Sequence, residues 1–407
     1  MERLILHCDA NNFYASVETK LDKTLKDKAI AVCGSVEERH GIVLAKSELA
    51  KKYKVQTGDT VWQAKQKCKD LIIVSPPKYD EYVKFSNALF EIYKSVTDKV
   101  EPFGMDECWL DCTSSQKLFG NGEQIANYLR ERVKKELDIT ISCGVSFTKS
   151  LAKLASDYKK PDATTIISKE NFIQFTENMP VDSLLMVGRK TSLALSKLNI
   201  KTIGQLRKVS EDYMKTNFGV NGVMLLNWAK GIDNSPVNSA YDHVAPKSVG
   251  NGITAYRDLT TKEDVFIVLR ALVELVSTRL SLLNFYPKTI SIYVKYSNFD
   301  SFDKRMTIFP TQDALSLFRE AKKLYDTYFP QNRSVRAVSF YTSNFETEEP
   351  KQLNMFDLNP EKKANLNKAI NKIKNKYGYK SIHAASLNID KDLTKYIETS
   401  DFKPFKH

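Results

Sequence analysis

The sequence lacks the features that mark several large classes of protein. No apolar run approaches the roughly 18 residues that a membrane-spanning helix needs, and the opening segment MERLILHCDA meets charged side chains too early for a secretory signal. The 407 residues include only six cysteines, with no CxxC pair, and only 15 glycines and 13 prolines. These absences exclude a disulfide scaffold and a low-complexity chain, and they favour structural thiols over a zinc site. We therefore predict a soluble, cytoplasmic protein of several domains with no membrane partner.

Positive charge is in modest excess and is unevenly distributed. The chain has 61 basic and 49 acidic side chains, which gives a net charge of +12. Residues 247–407 hold 26 of the basic and 18 of the acidic side chains, and therefore eight of the twelve net charges. Such a surplus is typical of a surface that binds a polyanion. A well-solvated basic surface explains it equally well, so charge alone does not decide between the two.

Hydrophobic periodicity predicts an α/β or α+β first domain followed by a helical region. Residues 1–168 alternate short buried strands with helices, among them a long amphipathic helix over 79–97. From residue 180 the sequence pattern changes to that of short helices separated by glycines. The segment MVGRKTSLALSKLNIKTIGQL (186–206) predicts two helices joined by a tight turn at Val187 and Gly188.

The last third of the chain predicts a small separate domain and a tail. After a proline-containing linker, residues 251–344 combine alternating strands with two helices, at 261–283 and 311–328. Beyond 345 the composition turns to Glu, Lys and Asn. This composition predicts a mostly flexible tail with one helix at 360–377.

Three acidic residues stand at or beside predicted strand ends. Asp9 ends the strand 3–9, and Asp106 and Glu107 are adjacent in FGMDECWLD. Neighbouring residues on a regular strand point to opposite faces, so the chain must turn or bulge for both to face one site, and Gly104 allows this. If the two strands pair, three carboxylates meet, and Mg²⁺ relieves their repulsion. An ordinary polar turn is the alternative, and spacing alone favours it.

Four sequence blocks change that balance. They are HCDANNFYASVE (7–18), GMDECWLD (104–111), CGVSFTKSLAKLASDYKKPD (143–162) and MVGRKTSLALSKLNIKTIGQL (186–206). Together they resemble the signature blocks of the Y-family, or translesion, DNA polymerases, in the family's order and spacing, and most closely its bacterial polymerase IV branch. The resemblance runs from residue 3 to about 345.

The resemblance implies a multidomain α+β fold shaped like a right hand. Its parts would be a palm, small fingers, a thumb with a helix–hairpin–helix, an α/β little finger and a flexible tail. The implied boundaries are 1–17 and 76–168 for the palm, 18–75 for the inserted fingers, 169–235 for the thumb, 236–246 for a linker, 247–344 for the little finger and 345–407 for the tail.

By position, the resemblance also implies roles for residues of the first domain. Asp106 and Glu107 would be catalytic, and with Asp9 and the backbone carbonyl of Ala10 they would bind two Mg²⁺ ions. Tyr14 would be the steric gate, whose ring strikes a 2′-hydroxyl and so selects deoxynucleotides; a core aromatic is the compatible alternative. The implied nucleotide-binding residues are Asn11, Asn12, Phe13, Tyr14, Lys46, Lys51 and Lys160.

One region departs from the usual polymerase IV pattern. A Tyr and an Arg on the fingers helix commonly contact the triphosphate, but the segment LAKSELAK (44–51) places Glu48 and Lys51 at those positions. Lys46 is a candidate for a replacement phosphate contact. Lysine is a point charge without the bidentate fork of arginine, so the exchange is not neutral.

Two further regions carry candidate DNA contacts. The helix–hairpin–helix could hold a DNA phosphate on the backbone amides near Gly188, with Lys190 nearby; a plain helical hairpin is the alternative. The little finger would track the duplex through its backbone. Its candidate phosphate contacts are Lys247, Arg257, Lys295, Arg305, Arg333 and Arg336.

A short apolar motif, QLNMFD (352–357), interrupts the polar tail. It resembles the peptide QLxLF that bacterial replication proteins insert into the sliding clamp, with Met in place of one Leu. Isolated apolar residues in a polar tail favour a docking peptide over a core segment. The implied clamp contacts are Gln352, Leu353, Met355 and Phe356.

These observations predict a monomeric, template-directed DNA polymerase of low fidelity that acts on primer–template DNA and dNTPs. Two alternatives belong to other classes. A non-catalytic DNA-binding accessory subunit would have lost the three acids, and a nucleotidyl cyclase would need neither a helix–hairpin–helix nor a clamp peptide.

Overall fold

The structure, a computed structural model, describes residues 2–35, 41–242, 245–330, 332–348, 360–378 and 381–394. The chain forms two compact units, and each is described by itself. The first unit includes residues 2–34 and 42–242, and the second includes the described residues from 245 to 394. Within the described ranges, no helix combines the length and apolar character needed to cross a membrane.

The first unit combines two sheets with a series of helices. Its strands are β1 (Ile5–Ala10), β2 (Ile30–Cys33), β3 (Val43–Lys46), β4 (Ile72–Val74), β5 (Val100–Pro102), β6 (Glu107–Asp111), β7 (Ile141–Ser146) and β8 (Thr164–Ile167). Its helices are α1 (Phe13–Leu21), α2 (Glu48–Lys52), α3 (Val61–Lys67), α4 (Tyr79–Lys94), α5 (Gln116–Phe119), α6 (Gly122–Leu137), α7 (Lys149–Tyr158), α8 (Phe172–Thr176), α9 (Arg189–Lys197), α10 (Ile203–Arg207) and α11 (Glu211–Ala229).

The larger sheet of this unit has the strand order β5-β6-β1-β7-β8. Strand β1 is antiparallel to both β6 and β7, and β7 is parallel to β8. The central strands β1 and β7 are buried along their whole length, as their mostly apolar sequences ILHCDA and ISCGVS predict. A smaller sheet, β3-β2-β4, is formed between residues 30 and 74.

Helices cover both faces of the larger sheet. Leu6, Cys8 and Ala10 of β1 share a core with residues of α4 and α6, so the alternate residues of β1 face the other side, where α7 packs. Gly144 of β7 permits the close approach of α7, because a Cβ there would lie 2.0 Å from the carbonyl oxygen of Ala152. The sheet therefore presents Asp9 towards α7.

The helical pair predicted over 186–206 is present, but the predicted position of its turn is wrong. Val187 and Gly188 precede α9, and Gly188 is the extended residue at its N-cap. The connection to α10 runs through residues 198–202, where Asn199 adopts a positive φ of 60°. Gly188 indicates a turn in the sequence, but in the structure an asparagine adopts the left-handed conformation of the turn.

The second unit is an antiparallel sheet packed against helices. Its strands are β9 (Ser248–Leu259), β10 (Tyr286–Tyr296), β11 (Ser301–Thr307) and β12 (Val335–Glu346), in the order β11-β10-β12-β9. Its helices are α12 (Lys262–Leu283), α13 (Ala314–Tyr328), α14 (Pro360–Tyr377) and α15 (Lys391–Thr394). The bounds of α12 and α14 agree closely with the helices predicted from the sequence.

Part of the predicted flexible tail packs on this unit. Leu387 and Leu393 are buried in the same core as α12, and buried Glu274 of α12 accepts a hydrogen bond from the backbone N–H of Ala384. Arg257 pairs with Asp390 at 3.0 Å. This part of the chain is therefore packed, and the flexible tail predicted from composition is wrong for it. Two leucines in a polar segment are too few to indicate a packed face before the fold is known.

Candidate active site

The three predicted acids lie together on the larger sheet of the first unit. Asp9 and Glu107 are directly paired across the antiparallel strands β1 and β6, so the condition on which the meeting of the acids depends is met. Asp106 precedes β6, and its carbonyl oxygen accepts a hydrogen bond of 3.0 Å from the N–H of Ala10. Gly104 has a φ of +96°, so the chain does turn there, as the sequence requires.

The acids are close enough to disturb each other's ionisation. Burial, followed by the charges of Asp9 and Glu107, raises the pKa of Asp106 from its usual 3.8 to about 7. Asp9 is only 5% exposed, so water screens its charge poorly. The group is therefore a concentrated negative site that favours cations.

Two lysines supply positive charge at this site. The Nζ of Lys153 lies 2.8 Å from Glu107 Oε2, 3.1 Å from Asp9 Oδ2 and 3.2 Å from Asp157 Oδ2. The Nζ of Lys160 lies 2.8 Å from both Asp9 Oδ2 and Asp157 Oδ1. The predicted triphosphate contact Lys160 thus lies beside the predicted metal ligand Asp9.

Sequence reasoning missed Lys153 and Asp157 as members of this site. A signal for them exists, because Lys153 and Asp157 are four residues apart and so lie on one face of α7, and Lys160 follows soon after this helix ends at Tyr158. The spacing alone does not identify a site, because the sequence does not show that Gly144 lets α7 pack on the strand of Asp9. The spacing identifies the face, and only the fold identifies what that face covers.

A buried histidine lies behind the acids. His7 Nδ1 is 2.9 Å from Ser156 Oγ, and His7 Nε2 is 3.4 Å from Glu107 Oε2. Burial, followed by the charge of Lys153, lowers the pKa of His7 to about 3. The imidazole is therefore neutral at physiological pH, and it packs edge-on against Trp109 with ring centroids 5.2 Å apart.

The donor set fits a hard divalent cation. The candidate ligands are carboxylate oxygens and a backbone carbonyl, which Mg²⁺ prefers, with no thiolate or neutral imidazole ligand required. Burial is the main cause of the raised pKa of Asp106, and the charges of Asp9 and Glu107 add to it, so a bound cation would relieve both effects. Among the described residues, no three His, Cys, Asp or Glu side chains form a ready-made metal cage, and Lys153 and Lys160 contact the carboxylates instead.

The predicted gate residue lies in an aromatic cluster. The Tyr14 ring stacks on Tyr82 at a centroid distance of 4.3 Å and meets the edge of Tyr79 at 6.0 Å. Its hydroxyl donates a hydrogen bond to Met105 Sδ at 3.2 Å. Tyr14 is partly exposed, whereas neighbouring Phe13 is only 3% exposed, so only the backbone of Phe13 can face a nucleotide.

The two asparagines of the first motif have separate partners. Asn11 is buried, and its side chain joins Thr140, Ser142 and the backbone of Asp162. Asn12 has a left-handed φ of 51° at the start of α1, and its amide donates to Glu48 at 2.9 Å.

The two lysines predicted to contact the triphosphate lie on different elements. Lys46 ends strand β3, and its Nζ donates to Thr57 at 3.3 Å. Lys51 lies on α2, with its Nζ 3.7 Å from Glu48 Oε1. Burial, followed by the charge of Lys51, lowers the pKa of Lys46, so these two cations act on one another.

Predicted DNA contacts in the first unit are open to solvent. Lys190 is exposed on α9, and a Cβ at Gly188 would meet nothing within 4 Å. The amides at the start of this nine-residue helix are therefore sterically accessible.

The predicted phosphate contacts of the second unit fall into three groups. Arg257 is tied to Asp264 at 2.7 and 2.9 Å, and Arg333 is tied to Asp300 at 2.6 Å. The charged groups of Lys295 and Arg336 lie 4.8 and 5.1 Å from the centroid of the Phe299 ring. Lys247 and Arg305 are exposed. The predicted clamp peptide 352–357 lies outside the described residues.

Comparison with known proteins agrees with this architecture. Residues 8–157 match the impB/mucB/samB family, residues 182–233 match the thumb domain described as DNA polymerase-iota, and residues 246–355 match the impB/mucB/samB family C-terminal domain. The chain resembles a solved Y-family DNA polymerase chimera with a TM-score of 0.76 and 21% identity, over 85% of this chain and 100% of the chimera. The fold is therefore that of a right-hand polymerase.

Relatives at higher identity give the family. The protein named DNA polymerase IV from Acetivibrio thermocellus is 40% identical over 399 residues, which cover 97% of this chain and 100% of the relative. DNA polymerase IV 1 of Bacillus subtilis is 35% identical, over 97% of this chain and 95% of the relative. The chain belongs to the impB/mucB/samB family, the Y-family DNA polymerases.

Proposed function

We propose that this protein is a template-directed DNA polymerase that performs low-fidelity translesion synthesis. The reaction joins a dNTP to a primer: the 3′-hydroxyl attacks the α-phosphate, and pyrophosphate leaves. The observation that carries the proposal is the cluster of Asp9, Asp106 and Glu107 on adjacent strands of a Y-family palm. The accessory-subunit alternative does not explain why three mutually repelling carboxylates are kept together.

We further propose that the acids and the Ala10 carbonyl hold two Mg²⁺ ions, with Asp106 and Glu107 as the catalytic residues. When bound, such ions stabilise the attacking and leaving oxygens of a phosphoryl transfer. The carboxylates supply the negative charge that makes the site selective for cations. Lys153 and Lys160 balance that charge, since both contact Asp9 Oδ2.

Around the acids, other residues of the first unit would bind the nucleotide. Lys160 would turn from Asp9 and Asp157 towards the triphosphate, because a more highly charged anion is the stronger partner. Tyr14 would exclude ribonucleotides by contact with the 2′-hydroxyl. Lys46 and Lys51 would add phosphate contacts, and the backbone at Asn12 and Phe13 would line the pocket.

Primer–template DNA would be held without sequence preference. The amides at Gly188, with Lys190, are suited to a backbone phosphate. In the second unit, Lys247, Lys295 and Arg336 have no carboxylate partner among the ion pairs of the described residues. Arg257 and Arg333 would have to leave their carboxylates to contact a phosphate, so they are weaker candidates than the sequence implies.

Three further parts of the proposal come from the sequence. The peptide 352–357 would bind a sliding clamp and raise the local concentration of polymerase at the primer end. The protein would act as a monomer and work in the cytoplasm. Pull-down by purified clamp, with Phe356→Ala as the control, tests the first of these directly.

Primer extension tests the polymerase activity. Wild type and Asp106→Ala would be given Mg²⁺ and dNTPs on an undamaged template and on one with an abasic site. We expect short, template-directed extension across both by wild type and none by the variant. A folded wild type that binds DNA but never extends a primer would contradict the proposal and support the accessory-subunit alternative.

A further inference from the structure

The hydroxyl group of the gate tyrosine has an unusual partner. The Tyr14 hydroxyl donates a hydrogen bond of 3.2 Å to the thioether sulfur of Met105. Sulfur is a weak acceptor, and both side chains are partly buried and pack against the same core. Met105 directly precedes the acid Asp106, so one residue of this turn faces the gate while the next faces the carboxylates.

The ring of Tyr14 is held independently of its hydroxyl. Tyr82 stacks on it with an interplanar angle of 16°, and Tyr82 is itself anchored by a hydrogen bond of 2.7 Å to fully buried Glu18. Lys78 pairs with the other oxygen of Glu18, also at 2.7 Å. The stack therefore fixes the plane of the Tyr14 ring, and Met105 is left to fix the direction of the O–H bond.

That direction matters for a sugar that approaches the gate. A phenol whose O–H is engaged in a hydrogen bond to sulfur is not free to donate one to a ribose 2′-oxygen, so a ribonucleotide meets only the steric block. Burial raises the pKa of Tyr14 to about 12, so the hydroxyl keeps its proton at neutral pH. A freed hydroxyl could donate to the 2′-oxygen and offset part of the steric penalty.

We propose that Met105 is a positioning residue that increases discrimination against ribonucleotides by holding the Tyr14 hydroxyl on its sulfur. The inference rests on the proposed polymerase function and on the assignment of Tyr14 as the gate. The proposed effect requires a tyrosine hydroxyl at position 14 and a thioether at position 105, and this chain has both.

The test is the Met105→Leu variant, which removes the sulfur while nearly conserving volume. The measured quantity is the ratio of kcat/KM for a dNTP to that for the matching rNTP. We expect the ratio to fall about fivefold, the size of one weak hydrogen bond, through a rise in the ribonucleotide kcat/KM. Met105→Gln supplies a carbonyl acceptor at similar length and is expected to restore most of the ratio.

A double-mutant cycle separates this role from general packing. In a Tyr14→Phe background no hydroxyl remains, so Met105→Leu is expected to leave the ratio unchanged. The matched control is Met214→Leu, another buried methionine of the first unit that has no contact with the gate. Thermal melting of each variant reports whether it folds.

The outcomes are distinguishable. A Met105→Leu ratio equal to wild type, or an equal fall in the Tyr14→Phe background, overturns the role of Met105 while leaving the polymerase proposal intact. Absence of extension by wild type overturns the polymerase proposal itself. If Met105→Leu does not fold, Tyr14→Phe alone decides: a change in the ratio of more than fivefold would contradict a hydroxyl that is already engaged.

Discussion

The larger sheet of the first unit and the sheet of the second unit differ in how far their polar and charged side chains are withdrawn from water. On the sheet of the first unit, Asp9 is paired at 3.1 Å with Lys153 of the covering helix α7, and both residues are less than 10% exposed. On the sheet of the second unit, one face packs on helices while the other carries mostly polar residues. That face includes Ser248, Thr289, Ser291, Ser339, Tyr341 and Ser343, as the strand register places them.

The difference shows what each task demands of a protein. A chemical step requires charges withdrawn from water and fixed by partners, because electrostatic interactions are strong only there. Holding a polyanion requires cations that remain exposed and mobile, on a surface that reads no sequence. We therefore expect changes in the first sheet to alter chemistry without altering DNA binding, and changes in the second to do the reverse.

Removal of metal is expected to give the largest effect. With EDTA in place of Mg²⁺, primer extension should be lost, whereas DNA affinity should change by less than about twofold, because the exposed cations do not depend on the acids. Filter binding and extension in the same samples check this. Loss of DNA binding together with extension would remove the distinction between the two sheets.

Removal of the cations around Phe299 is expected to give the reverse pattern. The double variant Lys295→Ala and Arg336→Ala should weaken DNA binding on the order of tenfold and reduce the salt slope by about 1.8, or 0.9 for each lost phosphate contact. The extension rate at saturating DNA should not change. Lys304→Ala is the matched control, because Lys304 pairs with core residue Ile292 and so lies on the helix face of the same sheet.

A smaller effect is expected from Lys153→Met, measured without metal. The variant leaves Asp9 and Glu107 without their shared cation, so its melting temperature should fall by on the order of 5 °C. Added Mg²⁺ should restore much of the loss. Lys149→Met on the same helix breaks the pair with Glu101 at 2.6 Å, and Mg²⁺ should not restore that variant; equal behaviour of the two would contradict a special role for Lys153.

The smallest expected effect is a pH dependence of stability in the metal-free protein. Burial and the neighbouring acids raise the pKa of folded Asp106 to about 7 from a usual 3.8. Between these values the folded carboxyl keeps a proton that the unfolded one loses, so its contribution to stability falls as pH rises and is constant above about 7. Melting of wild type and Asp106→Asn in EDTA should therefore differ by a few degrees more at pH 8 than at pH 5, with the variant the less sensitive.

Much of the architecture was predictable from the sequence. The buried strands follow from short apolar runs, and α12 follows from its long apolar stripe, whereas the pairing of Asp9 with Glu107 stayed a condition until the fold was known. The turn between α9 and α10 was misplaced, because Asn199 gives no signal as strong as Gly188. The packing of Leu387 and Leu393 was missed, since burial of two isolated leucines depends on a surface formed more than 100 residues earlier.

The candidate site divides in the same way. Its proposed acids and gate were accessible through the family resemblance of the motifs that contain them, whereas their spacing alone favoured an ordinary polar turn. Lys153, Asp157 and the sulfur of Met105 became meaningful only when α7 and the turn at Gly104 were placed in space. The sequence shows which residues are present, but it does not show which distant segments come into contact.

The most direct test of the account compares one acid from each sheet. Single-turnover incorporation of a correct dNTP would be measured for Asp9→Asn and for Asp303→Asn, which lies on the exposed sheet face opposite Tyr293, with DNA affinity measured alongside. Loss of several kcal/mol of charge stabilisation predicts a rate roughly 1000-fold lower for Asp9→Asn with unchanged DNA affinity. Asp303→Asn should incorporate at the wild-type rate. A near-normal rate for Asp9→Asn, or an equal loss for Asp303→Asn, would contradict the assignment of chemistry to the first sheet.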